Sequence, residues 1–461
     1  MFDLTIKQML QQYTDHKLSP VDVTQQCLND ISRTNAVSNA FITVCTEQAL
    51  NQARAAEYRY SLGLQTGLLE GIPVSIKDMI DTAEVITTYG SSIDRNHIPE
   101  TDAAVVTLLR QQGAVNLGKT NLHEYAFGTT SENSFYGSVT NPWNHEHAAG
   151  GSSGGSAAAI AAGIGLSSIG TDTGGSIRIP ASACGVVGLK PTFGRVNTAG
   201  AFNISWTLDH VGPITRNIED MASTMEALTG SSFNNYLRGD DLGGIRIGVP
   251  TKFINEQLQH DVKAAYEHSL SQLAELGAVL IDVDVDFTRQ DIDDVLTIEA
   301  AEAGYIHEQR IASSIDEYSA DVRKVLRTSH DITALTYIKA LDRRRSIKAA
   351  TIRLFDTVDY IAIPTMPIVA PLVGEHEVKF NNQSENIFNC MIRYTSIFNL
   401  SGHPALSIPC GLTTDGLPVG LQIAGRYDSD EWLLRTAYVY EKHYLSELYR
   451  TRDRLPQTEA I

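Results

Sequence analysis

The spacing of apolar residues divides the first part of the chain into helical and strand-like stretches. Residues 4–62 follow a helical pattern, and Ser19-Pro20 supplies the residue types that begin a helix inside it. From about residue 70 the helical pattern gives way to short apolar runs bounded by Gly, Pro or Asn, as in GIPVSIKD and AVNLGKTN. A helix-like stretch at 102–113 separates these two runs. This alternation predicts an α/β architecture.

The second half of the chain returns to the same alternation after a long helical interval. Residues 258–278 predict an amphipathic helix, and VLIDVDVDF after it predicts a strand. Residues 289–357 are mostly helical and charged and include an exposed-looking run, Arg343-Arg344-Arg345. Buried-strand patterns follow at 359–367 and within 405–425. No repeat or long linker interrupts the chain, so we expect one large domain over 1–461.

Composition and charge narrow the functional classes. The 461 residues include 36 Lys+Arg and 54 Asp+Glu, giving a formal net charge of −18, and 43% are hydrophobic. A chain this apolar can bury a core, and its acidic balance argues against nucleic-acid or anionic-membrane partners. The N-terminus lacks a secretory pattern and no apolar run is long enough to span a bilayer, so we expect a cytoplasmic protein.

The five cysteines are widely spaced and form no CxxC pair, which predicts buried thiols and neither disulfides nor a metal site. Glycine is distributed unevenly: 14 of the 35 glycines lie between Gly137 and Gly200. This block matches neither phosphate-binding pattern, GxxxxGK[ST] or GxGxxG followed by a distant acid. Ser176 stands in TGGSI and not in GxSxG, which leaves a Ser-His-Asp triad poorly supported. The histidines nearest the block are expected to be structural: His123, His145, His147 and His210.

Two glycine turns that carry serines, together with one lysine, point to acyl transfer. Glycines before Ser176 let backbone N–H groups turn inward, where they can stabilise a developing oxyanion. A serine nucleophile also needs a base, and Lys77 follows a strand-like run where burial would lower its pKa. From the residues alone, glycine turns with a surface lysine and a close-packed helix are the favoured interpretation, and acyl transfer is the alternative.

A series of motifs resembles the amidase signature family, serine hydrolases with a Ser-cisSer-Lys triad. The motifs are GIPVSIKD, GKTNLHEYAFGTTSEN, NPWN, GGSSGGSAAAIAAG, GTDTGGSIRIPAS, GVVGLKPTFGRV, LDHVGPITRN, IPT, GHPALSIPCG and GLPVGLQIAG. They cover residues 60–215 strongly and 359–426 more loosely, and the 24 positions between Ser152 and Ser176 are typical of the family. The resemblance implies one α/β/α domain around a large mixed, twisted sheet, with 289–357 as a variable helical region.

The resemblance also implies roles for individual residues. Ser176 matches the acylated nucleophile, Ser152 the bridging cis-serine and Lys77 the general base. The oxyanion donors implied are the backbone N–H groups of Thr173, Gly174, Gly175 and Ser176. No cofactor and no metal is required by this chemistry.

Further positions match the family's supporting residues. Ser153 and Asp172 are expected to support the hydrogen-bond network, with a structural role favoured for Asp172. Arg178 either braces the loop or touches the substrate, and both roles are open. Gly128 and Thr129 are candidate acyl-pocket residues through their backbone groups.

The expected activity is hydrolysis of a small carboxamide by a stand-alone amidase, and a homodimer is compatible with the family. The alternatives are the glutaminase A subunit of an aminoacyl-tRNA amidotransferase and a hydrolase of carbamate, urea-type or allophanate-like substrates. The stretch NTAGAFNISWTLDHVGP departs from the pattern of that glutaminase, and so does Ser429, at a position where the glutaminase tends to carry an acid. Arg344 is either a carboxylate-binding arginine or part of a solvated helix face. Five side chains are candidates for an apolar channel or for the core: Phe127, Phe193, Trp206, Tyr305 and Ile306.

Overall fold

An 11-stranded mixed sheet forms the centre of the computed structural model, in which residues 4–254, 257–288, 290–380 and 383–455 are described. The described strands are β1 Phe41–Val44, β2 Pro73–Lys77, β3 Val115–Thr120, β4 Thr140–Asn141, β5 Asn144–Ala148, β6 Ser167–Asp172, β7 Val187–Lys190, β8 His210–Thr215, β9 Arg246–Val249, β10 Val279–Asp282, β11 Tyr360–Pro364, β12 Glu377–Phe380, β13 Gln383–Asn386, β14 Ala405–Leu412 and β15 Pro418–Gly425. The large sheet has the order β1-β3-β2-β6-β8-β7-β14-β15-β11-β9-β10, while β4-β5 and β12-β13 are separate two-stranded sheets.

Helices flank this sheet. The described helices are α1 Ile6–Thr14, α2 Pro20–Ser38, α3 Thr46–Ser61, α4 Ala104–Gln111, α5 Gly154–Ala161, α6 Arg178–Cys184, α7 Ile218–Thr229, α8 Thr251–Ile254, α9 His260–Glu275, α10 Gln290–Ile306, α11 Glu308–Ser314, α12 Ala320–Thr328, α13 Ala334–Leu354, α14 Ile387–Ile392, α15 Ser396–Ser401, α16 Asp430–Tyr444 and α17 Ser446–Arg452. Short 3₁₀ turns lie at Glu124–Ala126, Asn234–Tyr236, Ile315–Glu317 and Ser329–Asp331.

The pairing of the central strands explains their apolar sequences. Strand β2 pairs in parallel with both β3 and β6, whereas β6 runs antiparallel to β8 and β14 runs antiparallel to β7 and β15. Every residue of β2, β6, β7, β8, β11 and β15 is buried, as expected where helices cover both faces of a sheet. The predicted α/β fold with a mixed central sheet is confirmed. The single domain stays a prediction, which the continuous sheet supports.

Helix α5 packs unusually close to the sheet because its sequence, GGSAAAIA, is made of small residues. A Cβ on Gly155 would lie 2.4 Å from the carbonyl oxygen of Ala40 and 2.5 Å from that of Asn121. Only glycine fits there, since such distances are far inside van der Waals contact. The glycine-rich sequence thereby brings the loop that precedes α5 against the end of the sheet.

The predicted helical stretch 4–62 contains one strand that the pattern did not predict. Helix α2 ends at Asn39, whose backbone is left-handed with a φ of 49°, and the amide of the Asn35 side chain exchanges hydrogen bonds with the backbone of Phe41. These polar contacts turn the chain into β1, which pairs with β3 at the edge of the sheet. Four residues are too few to interrupt a helical periodicity visibly.

Two other expectations about the chain are resolved by burial. All five cysteines are buried and none is joined in a disulfide, as predicted. The run Arg343-Arg344-Arg345 is exposed only at Arg345, because Arg343 pairs with Asp286 and Asp291 and Arg344 donates to backbone carbonyls. Across the described ranges, no helix combines the length and the apolar character needed to cross a membrane.

Candidate active site

Lys77 is the last residue of β2 and lies at the centre of the candidate site. Its Nζ is 2.7 Å from Ser152 Oγ and 2.7 Å from Thr171 Oγ1, and the side chain is fully buried. Burial lowers the pKa of Lys77 from 10.5 to about 7, although Asp172 and Asp209 act in the opposite direction. A lysine with such a pKa is partly neutral at neutral pH and can accept a proton.

The neighbouring strand carries a second buried lysine with a different environment. Lys119 Nζ lies 3.4 Å from Asp78 Oδ1 and donates to Ile80 O and Thr87 Oγ1. Lys77, by contrast, is bonded to two hydroxyl oxygens and, within the described part of the chain, to no carboxylate. Of the two lysines, Lys77 is therefore the one placed to exchange a proton with a serine.

The two serine turns lie against each other. The peptide bond between Gly151 and Ser152 is cis, and the carbonyl of Ser152 accepts hydrogen bonds from Ser131 Oγ and from the backbone N–H of His123. The N–H of Ser153 donates to the carbonyl of Ser176 at 3.2 Å, which joins the turn before α5 to the turn before α6. Ser152 is fully buried and Ser176 is 8% exposed.

The loop at residues 173–176 presents unused backbone donors. Among the described residues, no protein acceptor is bonded to the N–H of Thr173, Gly174, Gly175 or Ser176. Gly175 has a φ of +140°, and a Cβ there would lie 2.3 Å from Thr395 Oγ1, so only glycine fits. Thr395 Oγ1 donates to the Gly174 carbonyl at 2.5 Å. Thr395 fixes the carbonyl of Gly174, whereas the N–H groups of the loop remain available to donate hydrogen bonds. The loop is therefore suited to binding an oxyanion.

A buried ion pair holds the same loop in place. Arg178 Nε and Nη2 donate to the two carboxylate oxygens of Asp172 at 3.0 and 2.8 Å. The remaining guanidinium contacts go to the carbonyl of Thr395 and to the side chains of Gln422 and Asn399. Burial alone would raise the pKa of Asp172, but Arg178 and Asn399 hold it well below its usual range. These contacts favour the bracing role of Arg178 over contact with a substrate.

A cavity of about 940 Å³ lies beside this cluster. Its described lining is His123, Phe127, Gly128, Thr129, Thr130, Glu132, Ser134, Asp293, Leu296, Thr297, Glu299, Ala300, Ala320, Asp321, Lys324, Val325, Thr328, Ile332, Glu375, His376, Asn386, Ile387, Phe388 and Asn389. Gly128 and Thr129, predicted for the acyl pocket, are among these residues, and α10 and α12 of the variable helical region form much of the wall. A Cβ on Gly151 would lie 2.9 Å from the carbonyl carbon of Thr129, which shows how closely the cavity adjoins the serine turns.

Of the five aromatic and aliphatic side chains considered for an apolar channel, only Phe127 lines this cavity. Tyr305 and Trp206 are 73% and 45% exposed and pack edge-on against each other at the surface. They belong neither to the cavity nor to the core, so the prediction is wrong for both. Phe193 packs against His210 instead, and neither it nor Ile306 lines the cavity.

The residues weighed for recognition of an amino-acid substrate lie elsewhere. Arg344 donates to the carbonyls of Thr207 and Leu400, which is neither a solvated position nor a place in the cavity wall. Ser429 Oγ donates to the carbonyl of Arg426. Asp430 is buried and accepts hydrogen bonds from the backbone N–H and the hydroxyl of Thr192.

The four histidines near the glycine block are all hydrogen-bonded. His123 Nε2 lies 2.5 Å from Asp321 Oδ2 on α12. His145 contacts the hydroxyl of Thr140, His147 contacts the carbonyl oxygen of Ala370, and His210 contacts that of Leu208. Within the described residues, no three His, Cys, Asp or Glu side chains are grouped so that they could hold a metal ion.

Sequence reasoning missed one buried carboxyl in the cavity wall. Glu299 of α10 has an Oε1 only 3.3 Å from where a Cβ on Gly174 would lie. Burial and then the nearby carboxylates Asp209 and Glu302 raise the pKa of Glu299 to about 8. The signal was available in the sequence, because Glu299 interrupts the apolar face of the helix segment VLTIEAAEAG.

The sheet, the buried lysine and the two serine turns together indicate a class of acyl-transfer hydrolases built on a mixed sheet with flanking helices. A family model described as Amidase matches residues 22–434. The chain belongs to this amidase family, as the sequence motifs predicted, and is an enzyme that hydrolyses C–N bonds.

Proteins that are similar in sequence or structure include both amidases and amidotransferase subunits. The chain is 36% identical to the A subunit of a glutamyl-tRNA(Gln) amidotransferase of Acinetobacter baumannii, over 95% of this chain and 96% of that protein. A crystal structure of an amidase matches with a TM-score of 0.89 at 32% identity, covering 95% of this chain and 99% of the other. The corresponding amidotransferase protein of Thermotoga maritima matches with a TM-score of 0.79 at 32% identity, covering 96% and 95%. The relatives named as amidotransferase components do not support the expected preference for a stand-alone amidase.

The Asp172–Arg178 pair yields a stability prediction. Replacing Arg178 with Met leaves the Asp172 carboxylate buried without its cation, so we expect the free energy of unfolding to fall by about 3–5 kcal/mol. Urea unfolding followed by circular dichroism measures the change. Arg345→Met, at a side chain that is 75% exposed, is the control and should change stability by less than about 0.5 kcal/mol. Equal stability of the two variants would contradict the bracing role.

Proposed function

We propose that this protein hydrolyses a small carboxamide to a carboxylate and ammonia or an amine, through an acyl-enzyme formed on Ser176. The observation that carries the proposal is the 2.7 Å contact between Lys77 Nζ and Ser152 Oγ in a fully buried setting. A lysine paired only with hydroxyls in such a place supports proton transfer, because burial disfavours its charged form.

The first chemical step forms the acyl-enzyme. Neutral Lys77 accepts a proton from Ser152, and Ser152 accepts one from Ser176 as Ser176 Oγ attacks the amide carbonyl. The negative charge that develops on the carbonyl oxygen is stabilised by backbone N–H groups of residues 173–176, which are free of protein acceptors in the described chain. Because Arg178 and Thr395 fix the loop beforehand, little reorganisation is required.

The same groups complete the reaction in reverse. Ser152 delivers its proton to the leaving nitrogen and is reprotonated by Lys77, since an unprotonated amide anion is a very poor leaving group. Water then attacks the acyl-enzyme while the neutral Lys77, acting through Ser152, accepts its proton, which returns to Ser176 Oγ as the acyl C–O bond breaks. Both half-reactions are thus served by one base and one relay.

We further propose that the protein acts without an amidotransferase partner. The glutaminase of an amidotransferase would have to recognise the amino-acid portion of glutamine, yet Arg344 and Asp430 are committed to protein contacts away from the cavity. At the same 32% identity, the structural match to the amidase is also closer than the match to the Thermotoga maritima protein.

The second candidate is the amidotransferase glutaminase itself, favoured by the 36% identity to the Acinetobacter baumannii protein over nearly the whole chain. This candidate requires a partner protein that receives ammonia. A carbamate or urea-type hydrolase remains a third chemistry for the same triad, distinguished by release of CO₂.

The triad makes a direct mutational prediction. Ser176→Ala should reduce amide hydrolysis to the uncatalysed background, and Lys77→Ala should lower kcat by about 10²–10⁴-fold because general base catalysis is lost. Ammonia release from purified protein measures both effects. The exposed serine variant Ser271→Ala serves as the control and should retain wild-type turnover. Near-normal hydrolysis by Ser176→Ala would contradict the assignment.

The pH profile tests the protonation state of Lys77. Only the neutral amine accepts a proton, so kcat/KM for a neutral aliphatic amide should rise about tenfold per pH unit below about pH 7 and stop rising by about pH 8. Lys77→Ala should lose this rise. A profile that stays flat between about pH 6 and 9, with chemistry rate-limiting, would contradict the role of Lys77 as base.

A substrate panel separates the three activities. We expect the protein alone to release ammonia or amine from aliphatic or aryl amides, with Ser176→Ala as the blank. Glutamine-dependent ammonia release that requires a copurifying partner protein would instead establish the amidotransferase role, and CO₂ release would establish carbamate or urea chemistry. Sizing of the active species shows whether it acts as a homodimer.

A further inference from the structure

The cavity wall contains one buried acid that the proposed mechanism does not use. Glu299 is 8% exposed, lines the cavity, and makes no hydrogen bond or ion pair to any of the described residues. A side chain buried to this extent gives up much of its hydration, and none of the described residues bonds to the carboxyl group, which faces the cavity. Its position therefore indicates a ligand group that supplies the missing partner.

The neighbouring glutamate on the same helix, Glu302, has a structural role, because its carboxylate is hydrogen-bonded within the protein. Glu302, one turn further along α10, accepts hydrogen bonds from the hydroxyls of Ser205, Thr207 and Tyr337. Its contacts are complete within the protein. Glu299 faces the cavity without any such contacts, so the two glutamates have different roles although they are three residues apart.

The location of Glu299 also limits its charge during the reaction. Its Oε1 lies 3.3 Å from where a Cβ on Gly174 would be, so the carboxyl group sits beside the loop proposed to stabilise the oxyanion. An ionised, unpaired carboxylate there would oppose the negative charge that develops on the substrate. Catalysis requires that Glu299 be either protonated or paired with a cation.

The surrounding charges stabilise positive charge beside Glu299, whether a proton or a cation. Asp209, Glu302 and Asp172 act on Glu299 electrostatically and help to raise its pKa. In the cavity wall itself, the acids Glu132, Asp293, Asp321 and Glu375 accompany Glu299, against the single described lysine Lys324 and the histidines His123 and His376. Asp321 is paired with His123, but the remaining acids leave a negative potential that attracts a positively charged substrate.

We propose that Glu299 is a specificity-determining residue that binds a protonated amine on the acyl part of the substrate, about two to four bonds from the scissile carbonyl carbon. The substrate class is therefore short aliphatic amides that carry an amino group. This inference rests on the proposed amide hydrolysis. The ammonium group supplies the missing hydrogen bonds of the Glu299 carboxylate and cancels its charge beside the oxyanion loop.

The test compares matched pairs of amides in which an ammonium group replaces a methyl group. The pairs are glycinamide with propionamide, β-alaninamide with butyramide, and 4-aminobutyramide with pentanamide, assayed by ammonia release at a pH where the amines are protonated. For the wild-type protein we expect the best amine-bearing member to exceed its neutral counterpart in kcat/KM by about tenfold or more, chiefly through a lower KM.

Three variants locate the effect. Glu299→Gln should bring the ratio within each pair close to one, chiefly by raising KM for the amine-bearing amide. Glu299→Asp keeps the charge but shortens its reach, so the preference should move to the next longer amine. Asp294→Asn removes a negative charge from the same helix outside the cavity wall and should keep the wild-type ratios.

Other outcomes overturn the inference. A wild-type protein without preference within the pairs, or a Glu299→Gln variant that slows both members equally, would assign Glu299 to loop positioning alone. A preference of the wild-type protein for succinamate over neutral amides, retained in Glu299→Gln, would show that protonated Glu299 donates to an anion instead. Neutral amides also separate the two hypotheses: Ser176-dependent hydrolysis without an amine preference overturns only the role of Glu299, whereas hydrolysis that survives Ser176→Ala overturns the proposed function.

Discussion

The buried bond between Asp172 and Arg178 fixes the loop on which the site depends. Arg178 joins the end of β6 to α15 and β15 through Asn399 and Gln422, and it holds the carbonyl of Thr395. Thr395 in turn holds the carbonyl of Gly174, while the N–H groups of residues 173–176 have no protein acceptor among the described residues. An ion pair removed from water is a weak source of net stability, but it specifies one geometry because any other leaves a charge uncompensated.

Removal of water has opposite consequences for the two titratable groups that face the reaction. Burial depresses the pKa of Lys77 and so produces the neutral base that serine chemistry needs. Burial raises the pKa of Glu299 and so creates a carboxyl group that is stable only with a proton or a cation beside it. In the proposed mechanism the first effect supplies the base for any amide, whereas we propose that the second selects among amides. Reactivity and selectivity in this site thus share one physical cause.

The parts of the molecule that could be predicted from sequence are those set by local residue types. Apolar runs gave the central strands, and the glycine turns around Ser152 and Ser176 gave the candidate chemistry, because close backbone approaches such as that at Gly155 demand glycine. The rest depends on contacts between distant residues. The short strand β1 follows from side-chain hydrogen bonds of Asn35, and the contacts of Arg344 follow from where α13 crosses α15. The position of Glu299 beside Gly174 has no local signature beyond an acid on an apolar helix face.

The strand order has a consequence for how the site comes into existence. Lys77, Ser152 and Ser176 lie in the first 176 residues. Arg178, which braces the loop at 173–176, is itself held by Gln422, 244 residues further along the chain. Because a ribosome delivers the N-terminal part first, the three residues are exposed to the cell for most of synthesis without the strands that hold them in register. Strands β14 and β15, which lie between β7 and β11 in the sheet, are among the last parts of the chain to be made. A shorter chain therefore carries Lys77, Ser152 and Ser176 but lacks Gln422, one of the groups that hold Arg178.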